Sequence, residues 1–312
     1  MKQGWHEQGR RDDPQKAGLF MATRSGNLPF MQLPADAGAV TTVRRILDFI
    51  KERRLVDFHA YRPGTIQRML ALRVAKCDAE DLDAYYKILL SSPTEVDELI
   101  QALTVKVSAF FRNPLAFEAL GTAVLPELSE RFPDEALRVW CAGCARGEEA
   151  YSVAILLREM APRTRAKPFV LGTDLDSAAI DAARRAQYPE EALLDVKKRH
   201  LDIYFRADAG TWTVGREIRS LVTFAPHDIT TLHVPRGGVF NDYHLILCRN
   251  LLIYLGRDLG ERVVSFLARS LVRGGFLMLG EAEAVPEALE PTFSEILPEL
   301  KIYRKNIARA AR

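Results

Sequence analysis

The sequence contains no long hydrophobic run. None of the apolar stretches in its 312 residues approaches the about 18–20 residues that a membrane-spanning helix requires, so we expect no direct membrane insertion. Residues 1–20 are rich in Arg, Asp, Gln and Gly and lack the apolar segment of a secretory signal peptide. These absences predict a cytoplasmic protein.

Cysteine is scarce, and neither sign of charge is in excess. Cys77, Cys141, Cys144 and Cys248 are too few for a disulfide framework in a chain of this length. With 43 Lys and Arg against 41 Asp and Glu, the formal net charge is +2, so we expect no nucleic-acid partner. The 6 histidines show no metal-ligand spacing, and we expect no metal site.

Hydrophobic periodicity divides the chain into three parts. Residues 1–40 show little periodicity and are interpreted as a mobile N-terminal leader. Over residues 41–103 apolar side chains recur at helical spacing, which predicts a domain of about four helices. After Pro114, within residues 104–312, predicted helices alternate with short apolar strands, which is typical of an α/β domain whose parallel sheet is covered on both faces.

An insert interrupts this alternation at about residues 197–220. Trp212–Val214 and Glu217–Arg219 flank Gly215, and we predict that they form a small antiparallel hairpin.

The predicted helical domain is polarised in charge. Residues 41–77 hold nine basic and three acidic residues, whereas residues 78–98 hold one basic and seven acidic residues. Two interpretations remain open. The oppositely charged helices attract each other, or Arg62, Arg68 and Arg73 form a basic docking face for an acidic partner.

Polar residues follow the predicted strands at the edge where parallel sheets bind ligands. The first strand runs through Gly143 into a helix that begins with Glu148 and Glu149; this pair suits a cationic ligand or only stabilises the helix dipole. The second strand ends at Asp174, which we assign to ribose hydroxyls, while Asp176 or Ser177 caps the next helix.

Two further observations concern the same edge. The strand His244–Cys248 leads into Arg249 and Asn250, with Tyr254 shortly after. Cys141 and Cys144 have the spacing of a redox pair, but the neighbouring acids would raise a thiol pKa, so we do not favour redox chemistry.

Three segments resemble chemotaxis receptor glutamate O-methyltransferases of the CheR type. Leu103–Arg112 resembles the segment that leads into the family's T-x-F-F-R motif. Trp140–Ser152 contains Gly-Glu-Glu-Ala-Tyr-Ser where the family usually has G-E-E-P-Y-S. Cys248–Tyr254 resembles C-R-N-x-x-I-Y. The resemblance covers about residues 41–305 and implies a Rossmann-like class I methyltransferase domain with an N-terminal all-α domain and a small antiparallel β-subdomain insert.

The resemblance implies S-adenosyl-L-methionine (SAM) as cofactor and S-adenosylhomocysteine as product, without a metal. Together with the Gly143 bend, the expected cofactor site comprises Lys106, Ser108, Arg112, Gly143, Glu149, Asp174, Asp228, Ile229, Arg249 and Asn250. Lys106 stands where the family usually has Asn, Ser108 where it has Thr, and Asp228 where Asn is common. Arg112 and Tyr254 are the expected catalytic residues.

The implied activity is methylation of glutamate side chains of a chemotaxis receptor's cytoplasmic helical bundle, which would dock on the basic helical face. In the family, a longer loop after the residues corresponding to Tyr204 and Phe205 goes with binding of a receptor C-terminal pentapeptide. The hairpin is short here, so the resemblance favours docking that is independent of the pentapeptide. Two alternatives stay open at this point: a methyltransferase acting on another protein or a small molecule, and a non-catalytic SAM-binding scaffold, the latter suggested by Lys106.

Overall fold

Four helices form the N-terminal domain of the computed structural model, which describes residues 37–104, 108–160, 166–235 and 242–307. These helices are α1 (Ala37–Arg54), α2 (Pro63–Lys76), α3 (Leu82–Ser91) and α4 (Pro93–Leu103). The first of them begins before residue 41, and most of the expected leader lies outside the described residues. Their apolar faces enclose a core that includes Ile46, Ile50, Leu70, Tyr85 and Leu99.

Local sequence signals set where these helices begin. Asp81 caps α3 by accepting a hydrogen bond from the backbone N–H of Ala84 at 2.7 Å. Ser92 caps α4 in the same way through Glu95. Pro63 and Pro93 occupy first-turn positions, where the missing N–H of proline removes no helical hydrogen bond.

The opposite charges of these helices pair with each other. Arg73 Nε lies 2.9 Å from Glu95 Oε1, and Tyr85 donates its hydroxyl to the same oxygen at 2.6 Å. Burial acts to raise the pKa of Glu95, but the hydrogen bonds from Arg73 and Tyr85 outweigh it and lower the pKa. On the outer side Arg54 pairs with Asp97 at 2.7 Å. Mutual attraction of the helices therefore accounts for much of the polarity seen in the sequence.

The assignment of Arg73 to an exposed docking face is wrong. Its side chain is only 8% exposed, because the guanidinium is held between α2 and α4 by Glu95 and Glu98. Arg62 and Arg68 are exposed, as a docking face requires.

A seven-stranded sheet forms the centre of the second domain, in the order β6-β2-β1-β7-β8-β10-β9. Its strands are β1 (Arg138–Ala142), β2 (Phe169–Asp174), β6 (Val222–Pro226), β7 (Tyr243–Cys248), β8 (Leu271–Leu279), β9 (Phe293–Leu297) and β10 (Ile302–Lys305). The strands from β6 to β8 are parallel, as predicted, and β10 runs antiparallel to both of its neighbours. The sequence reading missed β9 and β10.

Helices cover both faces of this sheet. The larger helices are α5 (Pro114–Ala119), which continues through a π turn at Leu120–Val124 into α6 (Leu125–Arg131), then α7 (Glu148–Met160), α8 (Ser177–Arg185) and α11 (Arg257–Ser270). Alternate residues of β1 serve the two faces: Val139 and Cys141 join one core, and Trp140 and Ala142 join the other. This alternation confirms the predicted two-sided α/β architecture.

A three-stranded antiparallel sheet forms the insert. It consists of β3 (Gln187–Pro189), β5 (Thr211–Val214) and β4 (Phe205–Asp208) in that order, accompanied by the short helices α9 (Lys198–Tyr204) and α10 (Arg216–Arg219). The predicted pairing of Trp212–Val214 with Glu217–Arg219 is wrong, because the latter residues form α10. The actual hairpin turns at Ala209 and Gly210, both with positive φ, which suits a two-residue turn.

None of the helices in the described part of the chain combines the length and the hydropathy needed to cross a membrane.

We predict that Arg73→Ala lowers the free energy of unfolding by about 3–5 kcal/mol, because it leaves Glu95 as a buried carboxylate without its ion-pair partner. Chemical denaturation measures the change. Arg68→Ala on the same helix is the matched control, since Arg68 is exposed and its loss should cost no more than about 0.5 kcal/mol. Equal destabilisation by the two variants would contradict the structural role of Arg73.

Candidate functional site

A cavity of about 290 Å³ opens where the parallel strands end and the helical domain meets the sheet. All predicted site residues in the described part of the chain line this cavity: Ser108, Arg112, Gly143, Glu149, Asp174, Asp228, Ile229, Arg249, Asn250 and Tyr254. Lys106 lies outside the described residues. The structure thus brings together residues that are up to about 150 positions apart in the chain, as expected for the carboxyl edge of a parallel sheet.

The turn after β1 requires glycine at position 143. Gly143 has φ +73°, and a Cβ atom there would approach Leu251 Cδ1 to 2.4 Å. The backbone N–H groups of Gly143 and Cys144 both donate to the carbonyl of Thr173, at 2.8 and 2.9 Å. The turn is therefore tied to the end of β2 and leaves main chain, not side chain, facing the cavity.

Asp174 and Asp176, at the end of β2, have different roles: Asp174 lines the cavity and Asp176 caps a helix. The carboxylate of Asp174 accepts backbone hydrogen bonds from Ala145 at 2.8 Å and from Asp176 at 2.9 Å, which fixes its orientation at the cavity. Asp176 instead caps α8 through the N–H of Ala178 at 2.8 Å. The structure confirms the predicted capping by Asp176.

Asp228 lines the cavity from the segment that follows β6, the strand next to β2. Its carboxylate accepts from the N–H of Thr230 at 2.9 Å and begins the short helical turn Ile229–Thr231. The N–H of His227 donates to the carbonyl of Asp174 at 2.8 Å. This bond keeps the ends of β2 and β6 together, so two carboxylates and an apolar side chain, Ile229, share one part of the cavity.

A buried ion pair lies at another part of the cavity. Arg249 donates to Glu149 at 3.1 Å and, through its second Nη, to the backbone carbonyl of Arg112 at 3.1 Å. The side chains of Arg249 and Glu149 are 5% and 13% exposed. Burial raises the pKa of Glu149, and the charge of Arg249 opposes this shift only in part.

Arg112 lies in a constrained turn. The residues on either side of it, Phe111 and Asn113, have φ values of +52° and +65°, a region that a phenylalanine rarely adopts. The N–H of Phe111 donates to the Ser152 hydroxyl at 2.9 Å, and that hydroxyl donates to the carbonyl of Glu148 at 2.7 Å. Helix α7 therefore holds the turn that presents Arg112 to the cavity.

Glu283 is a buried carboxylate that the sequence reading missed. It accepts backbone hydrogen bonds from Asn250 at 3.0 Å, Ile253 at 3.2 Å and Gly280 at 2.7 Å, and it is 5% exposed. These bonds fix the segment that carries both Asn250 and Tyr254. They also hold Asn250 in a left-handed backbone conformation, with φ +58°. Glu283 does not line the cavity, so its role is to position residues that do.

Among the described residues near the cavity, the buried thiols do not favour redox chemistry, and the carboxylates do not form a metal site. Cys141 and Cys144 are free and buried, and burial raises the pKa of both thiols far above the usual value, which disfavours the reactive thiolate. No group of three or more His, Cys, Asp and Glu side chains among the described residues could hold a metal ion.

Two family models match almost all of the described chain. The CheR methyltransferase all-alpha domain matches residues 41–104, and the CheR methyltransferase SAM binding domain matches residues 106–297. Thr104 and Ser108, on either side of the boundary between the two matches, both line the cavity.

Curated relatives extend the same similarity. A Pseudomonas putida protein named Cher3 is 31% identical over 273 residues, which are 85% of this chain and 96% of that protein. A chemotaxis protein methyltransferase of Listeria innocua is 31% identical over 230 residues, or 74% of this chain and 85% of that protein. A 104.1 kDa protein of Rhodobacter capsulatus is 30% identical over 263 residues, and this chain spans 27% of its length.

We predict that Glu283→Gln weakens binding of S-adenosylhomocysteine by about tenfold, because a single amide oxygen cannot accept all three backbone bonds and the segment that carries Asn250 and Tyr254 loses at least one of its anchors. Calorimetric titration measures the affinity. Glu287→Gln is the matched control, since Glu287 is exposed and remote from these bonds. An unchanged affinity in a folded Glu283→Gln protein would show that the segment is held by other contacts.

Proposed function

Because the chain belongs to the CheR methyltransferase family and is a SAM-dependent methyltransferase, we propose that it methylates glutamate side chains of chemotaxis receptors. The products would be a glutamate 5-O-methyl ester and S-adenosylhomocysteine. The observation that carries the proposal is the cavity at the sheet edge, where Arg112 and Tyr254 face the same space as the residues expected to hold the cofactor. The chemotaxis methyltransferases among the relatives support the acceptor class.

The residues of the cavity fit SAM. Its volume of about 290 Å³ is close to the lower end of the range for small-molecule sites, about 300 Å³. The Gly143 turn leaves main chain next to the space, so a ligand can approach closely. Acidic side chains outnumber basic ones along the wall, which suits a ligand that carries a sulfonium and an ammonium group.

Each polar residue has a task in this arrangement. Asp174 would accept the ribose hydroxyls, since an ionised carboxylate has about four acceptor positions and its two backbone bonds hold it in place. Asp228 and Ile229 would contact the base. Glu149, oriented by Arg249, would lie near the cationic amino-acid end.

The proposed transfer requires no general base. The bound cofactor supplies a methyl group on a positively charged sulfur, which leaves as a neutral thioether. A glutamate with an ordinary pKa of about 4.3 is already ionised at neutral pH, so its oxygen attacks directly. One C–O bond forms as one C–S bond breaks, and no proton moves. The contribution of the protein is alignment of the two groups and exclusion of water.

Arg112 and Tyr254 are the residues that we assign to the acceptor. Arg112 would hold a carboxylate in the cavity, because its turn is fixed from both sides. Tyr254 would border the methyl group and orient the acceptor with its hydroxyl. Arg62, which immediately precedes α2, and Arg68 on α2 are both exposed and would contact the acidic surface of a receptor bundle. The short β4–β5 hairpin supports docking that does not use a receptor pentapeptide.

We predict that the protein, given radiolabelled SAM and receptor-containing membranes, produces protein-bound methyl groups that alkali releases, because esters hydrolyse in base and N-methyl groups do not. Base-stable labelling would move the acceptor to another class. Binding of SAM without transfer to any receptor would favour a scaffold role.

Arg112→Ala should lower kcat/KM in the same assay by about tenfold or more through loss of a charge-assisted hydrogen bond.

We also predict that binding of S-adenosylhomocysteine weakens as the pH is lowered from about 8 towards the ordinary glutamate pKa of about 4.3, since the raised pKa of Glu149 causes it to lose its charge at a higher pH than an ordinary glutamate. Titrations across this range measure the effect. Glu149→Gln is the control, and its affinity should be lower and much less dependent on pH. An equal pH dependence in both proteins would assign the titration to another group.

A further inference from the structure

The loop between α1 and α2 brings a tyrosine of the helical domain to the cofactor cavity. Tyr61 lines that cavity, although it belongs to the N-terminal domain. Its ring packs against the core of the helical domain and against the core on the α11 side of the sheet. It also lines a second, mostly apolar cavity of about 310 Å³ in the helical domain, so the ring forms part of the wall between the two cavities.

Main-chain hydrogen bonds hold this loop against the segment that follows Tyr254. The N–H of Gly256 donates to the carbonyl of Ala60 at 2.7 Å, and the N–H of Arg62 donates to the carbonyl of Tyr254 at 2.9 Å. Tyr61 and Leu255 face each other in this antiparallel bridge. The backbone of Tyr61 is therefore fixed from both sides.

The ring of Tyr61 is also constrained. It contacts the fully buried ring of Phe58 edge-on, with centroids 4.9 Å apart. Burial, followed by the negative charges of Asp228 and Asp174, raises the pKa of the Tyr61 hydroxyl. Those two carboxylates line the part of the cavity that we assign to the ribose and the base.

We propose that Tyr61 is a cofactor-binding residue that contacts the nucleoside part of SAM and closes the site from the side of the helical domain. This inference deepens the proposed function, because it rests on the assignment of Asp174 and Asp228 to the nucleoside. An aromatic ring at this position offers a flat apolar surface to the adenosine, and its hydroxyl offers a donor beside two acceptors. The helical domain thus contributes to cofactor affinity without any receptor.

The test is a calorimetric titration of the full chain with S-adenosylhomocysteine and, separately, with adenosine. Tyr61→Ala should weaken both by about tenfold, the size of a lost base–aromatic contact. Tyr61→Phe, which keeps the ring, should weaken both by only about threefold through loss of the hydroxyl. Tyr86→Ala is the matched control: Tyr86 is a half-buried tyrosine of the same domain that packs edge-on against Phe49 and does not line the cavity.

The outcomes separate the possibilities. Unchanged affinity for both ligands in a folded Tyr61→Ala protein overturns the proposal. Unchanged affinity with a raised KM for the receptor also overturns it and moves Tyr61 to the acceptor side. If Tyr61→Ala does not fold, the affinity of Tyr61→Phe tests the proposal: a loss of about threefold supports it, and an unchanged affinity overturns it. Because neither titration involves an acceptor, an error in the proposed glutamate specificity appears only in the labelling assay and leaves this result intact.

Discussion

The guanidinium of Arg249 joins three segments on which the rest of the site depends. It follows β7, pairs with Glu149 at the start of α7 and holds the carbonyl of Arg112 in the turn before α5. Each segment brings its own side chain to the cavity, so this contact sets their spacing. A guanidinium suits the position because its planar donors reach a carboxylate and a carbonyl at once. The sheet aligns these segments, because β1 and β7 are neighbouring parallel strands that end at the same edge.

The sequence predicted the sheet edge well because strands with short apolar runs end in recognisable polar residues. Asp174 ends one strand and Arg249 follows another, and both strands are apolar and buried on both faces, a pattern that can be recognised in the sequence alone. Glu283 was missed for a physical reason: its partners are backbone N–H groups of a distant segment, which no residue pattern records. The strands β9 and β10 were missed because they lie at the sheet margin, where burial and hence periodicity are weaker.

Charge patterns in the helical domain were harder to interpret. The excess of basic residues over positions 41–77 and of acidic residues over positions 78–98 is consistent with a docking surface or with internal pairing. The structure shows internal pairing at Arg73 and Arg54. Arg73 points inward to Glu95, whereas Arg68 is exposed one turn away on the same helix. Helical spacing indicates which residues share a face, but it does not tell which neighbouring element covers that face.

Two main-chain hydrogen bonds form the centre of the bridge between the α1–α2 loop and the segment around Leu255. Ala60, Arg62, Tyr254 and Gly256 contribute carbonyl and N–H groups, and the side chain of Arg62 adds a hydrogen bond from its Nε to the carbonyl of Leu255 at 3.0 Å. Geometry is restricted at Gly256, where a Cβ atom would lie 3.0 Å from the Ala60 carbonyl. Substitutions on the outer surface of the helical domain therefore leave these main-chain contacts in place. Chimeric proteins that exchange this domain between relatives should retain the same register, provided that the length of the α1–α2 loop is preserved.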